Sequence, residues 1–205
     1  KTSFLTSQLA DIVNCVPAER PILWFNNEGA GGRILKRSYQ SFLGCTLDEL
    51  LQKREDGVLL DEYKHANGDR LRIVDCHDWT STMVEQVIED ANPSLVIFDM
   101  IDNIEFVGAM RNGHDTRTDQ ILEAQYQWAR KLGVKYDHPV IATSQISADV
   151  EQSADTQCWP PQHALKDSKT GKQGAADLMI MIGKSSDPMC ANYRYISTPK
   201  NKLSS

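Results

Sequence analysis

Three apolar runs in this chain each end in a residue able to handle a phosphate or a water. "ILWF" (22–25) leads to Glu28, "SLVIFD" (94–99) closes on Asp99 with Asp102 close behind, and "PVIAT" (139–143) leads to Gln145. A carboxylate at the tip of a buried strand is held rigidly enough to bind Mg²⁺ or one of its waters. Taken alone it is weak evidence, because strands often end in Asp for turn-forming reasons. The first two residues add to it. Lys1-Thr2 runs directly into Phe4, Leu5, Leu9, Ile12 and Val13, spaced for a helix packed on a sheet. In the phosphate-binding loop GxxxxGK[ST], the lysine reaches the β- and γ-phosphates, the hydroxyl binds Mg²⁺, and a helix follows at once. Lys1-Thr2 is therefore expected to be the end of such a loop, truncated before its glycines. A second Gly-Lys-Ser, "IGKSS" (182–186), lacks the first glycine of the motif, since Leu178 stands there, and Asp187-Pro188 follows where a helix would start. It reads as a strand end with a turn.

The elements that must carry these residues alternate between strand and helix. Uninterrupted apolar runs at 22–25, 94–99, 139–143 and 177–183 predict strands covered on both faces, as in a parallel sheet. Met83, Val84, Val87 and Ile88 predict a helical face behind a capping box at Thr82 and Glu85, stopped by Pro93. Ile121, Leu122, Tyr126, Ala129 and Leu132 predict another, closed by Gly133. A third helix is expected at about 31–43, and "VLLDEYKHANGDRLRIVD" as a hairpin or two strand ends joined through Asn67-Gly68. This order is that of a doubly wound α/β domain, whose ligands gather beyond the carboxyl ends of the strands. No internal repeat or linker interrupts it.

Composition bounds the function. At 205 residues with 40% hydrophobic content, the chain can bury one substantial core without disulfides or metal. No apolar run is long enough for a membrane span, and no signal-peptide pattern is present. The scattered cysteines (Cys15, Cys45, Cys76, Cys158, Cys190) include no CxxC pair and read as reduced thiols of a cytosol. The five histidines show no zinc spacing. Net charge is −6, yet Lys166, Lys169, Lys172, Lys184, Arg194, Lys200 and Lys202 outnumber Asp167, Asp177 and Asp187 after Ala164. Such asymmetry can mark a local anion site.

With these features in order, the chain resembles the RecA-like ATPase domain of the DnaB-family replicative ring helicases, including the phage primase-helicases, over almost all of its length. The resemblance implies a single P-loop NTPase domain over 1–205, with a mostly parallel central sheet and helices on both faces. It implies ATP and Mg²⁺ as cofactors, with Lys1, Thr2 and Asp99 at the nucleotide and Thr2 and Asp99 at the metal. Glu28 corresponds to the residue that polarises the attacking water, and Arg37, nine residues on, to an arginine usual in the next helix. Gln145 is similar to the glutamine that senses the γ-phosphate. Lys200 and Lys202 stand where ring helicases carry a Lys-x-Arg pair reaching the neighbouring subunit's site, and match more nearly the lysine pair of RecA recombinases. Lysine is a point cation without the bidentate geometry of arginine. Arg111 and Arg117 fall in one expected DNA-facing loop, and Lys166, Lys169 and Lys172 in another whose Gly171 and Gly174 give backbone freedom.

Function follows as expectation: an ATP-dependent DNA helicase translocating 5′ to 3′ on single-stranded DNA as a hexameric ring. A primase domain or protein is a possible partner, no membrane is involved, and the setting is the cytoplasm of a bacterial or phage-infected cell. A filament-forming recombinase and a low-turnover ATP-binding adaptor or loader remain open. Each residue also has a plainer role available. Glu28 would favour the positive end of the next helix, the lysines of 166–172 could be solvated surface, Trp24 and Trp128 suit the core, and Trp159 could stack a base or pack its loop.

Overall fold

The structure, a computed structural model, describes residues 1–107, 118–146, 157–165 and 171–203. The chain forms two compact units, one of residues 1–105 and 132–143, the other of 106–131 and 144–205.

The first unit is built on a four-stranded sheet of β1 (Ile22–Asn26), β2 (Leu71–Asp75), β3 (Leu95–Asp99) and β4 (Val140–Ala142). All its pairings are parallel and its order is β2-β1-β3-β4. Every residue of β1 and β3 is buried. Alternate side chains point to opposite faces, so Ile22, Trp24, Leu95 and Ile97 meet Leu9, Val13, Ile34 and Leu71 in one core. Phe25 stacks on its register partner Phe98 on the other face, with ring centroids 5.5 Å apart. Each large apolar side chain so enclosed stabilises the fold by about 1.5–3 kcal/mol.

Parallel neighbours require crossovers, and helices supply them. α1 (Thr2–Ile12) buries Leu9, and Val13 just beyond it, against the sheet. α2 (Gly31–Leu43) stops at Gly44, whose φ of 59° is a left-handed conformation that glycine adopts without strain. α3 (Leu47–Glu55) has a full capping box between Thr46 and Glu49, and α4 (Leu59–His65) follows. α5 (Ser81–Ala91) leads into β3. α6 (Thr118–Lys135) spans residues of both units.

The second unit contains the short helix α7 (Gly171–Ala175) and an antiparallel pair, β5 (Leu178–Gly183) and β6 (Tyr195–Asn201). Its core joins Ala164, Leu165, Met179 and Met181.

Four expectations need correction. "DLMIMIG" is a strand, but it pairs antiparallel with β6 rather than joining the parallel sheet. Met179 and Met181 are buried while Leu178 and Ile180 are 40% and 45% exposed; with apolar residues on both faces, the alternation is invisible in the sequence. The stretch read as a hairpin is α4 followed by β2, because Leu59 and Tyr63 are buried at helical spacing. The cap of α5 is Thr80, which accepts from the Met83 N–H, and Met83 itself is 47% exposed. Finally, α6 runs through Gly133, where an added Cβ would lie 2.9 Å from the His138 carbonyl oxygen, so close packing rather than termination explains that glycine. The Gly-Lys-Ser of "IGKSS" is, as expected, the end of β5 and a bend.

Candidate functional site

The strand order reverses between β1 and β3: the chain leaves β1 toward β2 on one side and returns to β3 on the other. That reversal opens a crevice at the carboxyl ends of the two strands. Their last residues, Asn26 and Asp99, are register partners, so the segments bearing Glu28 and Asp99 flank this crevice.

Asp99 is 1% exposed. Its Oδ2 accepts from the Thr2 hydroxyl at 3.1 Å and its Oδ1 from the Thr143 hydroxyl at 2.7 Å. Beside this pair, the Lys1 ammonium contacts the Glu28 carboxylate at 2.8 Å, with side chains 30% and 28% exposed. A partly solvated ion pair of this kind contributes only about 0–1 kcal/mol, so a polyphosphate can take the lysine at small cost. Asp75, at the tip of β2, accepts from the Asn26 amide and, at 3.3 Å, from the N–H of Gly31, the first residue of α2. Gly29 follows Glu28 at φ 151°, a backbone conformation that favours glycine.

The donor set fits a magnesium ion bound with a nucleotide. One hydroxyl and one carboxylate are hard oxygen ligands, and Mg²⁺ normally takes one or two such groups and completes its shell with water and phosphate oxygens. Among the described residues, no cluster of three or more His, Cys, Asp or Glu could hold a metal unaided.

No protein-family model matches the sequence, and no curated protein matches it. Solved structures do match the fold. One of them, the ATPase domain of a larger protein, superposes on 99% of this chain with a TM-score of 0.75 at 17% identity, the chain covering 73% of that one. A DnaB-like replicative helicase, whose structure was solved together with its interactions with primase, superposes on 98% with a TM-score of 0.72 at 19% identity, and the chain spans 50% of its length.

The fold is RecA-like.

Within this RecA-like fold, the described residues place the remaining expected positions as follows. Arg37 is exposed on α2. Gln145 is exposed three residues beyond β4, in the second unit. Lys200, on β6, donates to the backbone carbonyl of Gln173, and its pKa is held below the usual lysine value by burial first and by neighbouring Lys202 next. Lys202 is exposed. Lys172 departs from the sequence reading. It is 2% exposed, donates to the Ser144 hydroxyl at 2.9 Å and lies 5.3 Å from the centre of the Tyr126 ring, so its ammonium is enclosed by protein rather than offered to a phosphate. Trp24 is fully buried, whereas Trp159 is 55% exposed and meets Tyr195 edge-on. Arg111, Arg117, Lys166 and Lys169 lie outside the described residues.

Two residues of the site go unmarked in the sequence reading, Thr143 and Asn27. Thr143 is the last residue of "PVIAT", and the strand-end reasoning that selects Gln145 could have selected it. Asn27 carries no signal of its own in the sequence.

Proposed function

We propose that the chain is the ATP-hydrolysing motor of a replicative DNA helicase acting on single-stranded DNA. The observation that supports this best is the meeting of Lys1, Thr2, Glu28 and Asp99 at the switch point of the sheet, through contacts of 2.8 and 3.1 Å. An ammonium, a hydroxyl and two carboxylates in that crevice suit in-line attack of water on a terminal phosphate.

Lys1, released from Glu28, neutralises the β- and γ-phosphates. Thr2 and Asp99 would hold the magnesium ion, whose charge withdraws electron density from the transferring phosphoryl group. Glu28 orients the water and accepts its proton as the new P–O bond forms and the bond to the bridging oxygen breaks, leaving ADP and phosphate. Lys200 and Lys202 of the next subunit supply cations at the transition state; for Lys200 this requires release from the Gln173 carbonyl. Arg37 lies on the helix leaving the site and belongs to the same nucleotide-binding set. Gln145 links loss of the γ-phosphate to the segments carrying Arg111, Arg117, Lys166 and Lys169, which hold the DNA backbone, while Lys172 anchors the second of them. A hexameric ring, 5′ to 3′ movement and a primase partner are parts of the same proposal. Among the described residues, no helix is long and apolar enough to cross a membrane.

Glu28→Gln tests the reading. ATP binding should persist while DNA-stimulated hydrolysis falls by about 10²- to 10⁴-fold, the usual contribution of a positioned base. Unchanged turnover would remove Glu28 from the mechanism and favour an adaptor. A recombinase is the second reading, favoured by the lysine pair at 200 and 202; strand pairing that depends on homology, without unwinding of a fork, would select it.

A further inference from the structure

The residue before Glu28 makes a set of bonds that the chemistry above does not use. Asn27 is 8% exposed. Its Oδ1 accepts from the Met100 N–H at 2.7 Å, and its Nδ2 donates to the Met100 carbonyl at 2.9 Å. Its own N–H donates to the Asp99 carbonyl at 3.0 Å, and Asn103 Nδ2 reaches Oδ1 at 3.4 Å. The last backbone register pair of these strands is Asn26 with Asp99. Beyond it the side-chain amide takes over, bonding both polar backbone groups of a single residue as a neighbouring strand would. On the other side of Glu28, the Asn26 amide donates to the Gly29 carbonyl and to Asp75. Glu28 is therefore carried on a turn fastened at both ends, and projects from it toward Lys1.

We propose that Asn27 is a positioning residue for ATP hydrolysis, which by clasping the backbone of Met100 sets the separation between the Glu28 carboxylate and the Asp99 carboxylate. The inference rests on the reading of Glu28 as the residue that orients water. Only a primary amide on a single methylene offers a donor and an acceptor side by side at this reach: aspartate lacks the donor, serine is too short for two partners, and glutamine is longer by one carbon. Misplacement of a catalytic group by about 1 Å can cost about a hundredfold in rate, whereas the nucleotide's own contacts with Lys1 and Thr2 would be untouched.

The test compares Asn27→Asp, Asn27→Ser and Asn103→Ala with Glu28→Gln and the parent, using the full chain, Mg-ATP and single-stranded DNA. Thermal midpoints are recorded alongside kcat and the KM for ATP. The two Asn27 variants should lose about 10- to 100-fold in kcat with the KM for ATP within about threefold. Asn103→Ala, at an exposed position, should lose about two- to threefold in kcat alone, the worth of one weak hydrogen bond. A folded Asn27 variant with parental kcat, or one whose KM rises as far as its kcat falls, would overturn the proposal. So would failure of both Asn27 variants to fold while Asn103→Ala kept parental kcat, since Asn27 would then serve the core alone. Parental turnover in Glu28→Gln would instead refute the role of Glu28, whatever the Asn27 variants do.

Discussion

Thr2 and Asp99, 97 positions apart in the chain, share a hydrogen bond of 3.1 Å across the carboxyl end of the sheet. The hydroxyl comes from the first turn of a helix and the carboxylate from the last residue of a strand. Burial at 1% exposure leaves the carboxylate dependent on its donors, because an ionised group removed from water must be compensated by hydrogen bonds or opposite charge.

Thr143→Val follows from that dependence. The substitution keeps the shape and removes the hydroxyl that Asp99 Oδ1 receives at 2.7 Å. Stability should fall by about 1–3 kcal/mol, the cost of leaving a buried acceptor short of a partner. A lower urea midpoint with unchanged slope would show it. Magnesium-dependent nucleotide binding should weaken in the same protein.

Action between subunits predicts complementation. Mixed oligomers of Lys202→Ala and Glu28→Gln chains should recover part of the hydrolysis that each lacks alone, because junctions combining the intact half of each form a complete site. Stable mixed oligomers with no recovery would mean that Lys202 does not act on a neighbour.

His138 makes stability depend on pH. The ring is buried, its Nε2 has no hydrogen-bond partner among the described residues, and Nδ1 faces the Pro139 carbonyl. Burial chiefly, with a smaller contribution from the nearby Arg20 cation, holds its pKa below 6.5, against the opposing pull of the Pro139 carbonyl and Asp137. The folded chain then binds the proton more weakly than the unfolded one. Stability is full above the unfolded value near 6.5 and is lost as pH falls from there through the folded value. Urea midpoints at about pH 7.5 and about pH 5 should differ more in the parent than in His138→Gln. Equal differences would assign the acid sensitivity to other groups.

Lysines of the cationic C-terminal stretch should separate into two kinds. Lys169→Ala is expected to weaken DNA binding and reduce the salt slope by about one charge. Lys172→Ala should instead lower the unfolding midpoint, since its ammonium is bonded to Ser144 and lies over Tyr126 inside the protein. Parallel losses of salt slope in both would show that Lys172 leaves this enclosure when DNA binds.

The strands of the parallel sheet and the residues at their tips are legible in the order of residues alone. β1 and β3 are buried on both faces, so their apolar runs are unbroken, and Glu28 and Asp99 stand out as the first charges after them. The helix after Lys1-Thr2 is equally plain, because a one-sided core imposes its period on the residues. Pairing is a different matter. "DLMIMIG" has the same composition whether it joins a parallel sheet or an antiparallel pair, and contacts with Tyr195–Asn201 decide between them. Lys172 shows the same limit, for a lysine in a glycine-containing stretch carries no sign that it will be enclosed. Asn27 shows it most clearly: its partners are the backbone groups of Met100, 73 positions away. Backbone groups are identical in every residue, so a side chain chosen to bind them leaves no complementary signature in the sequence, and its purpose emerges when one strand folds beside another.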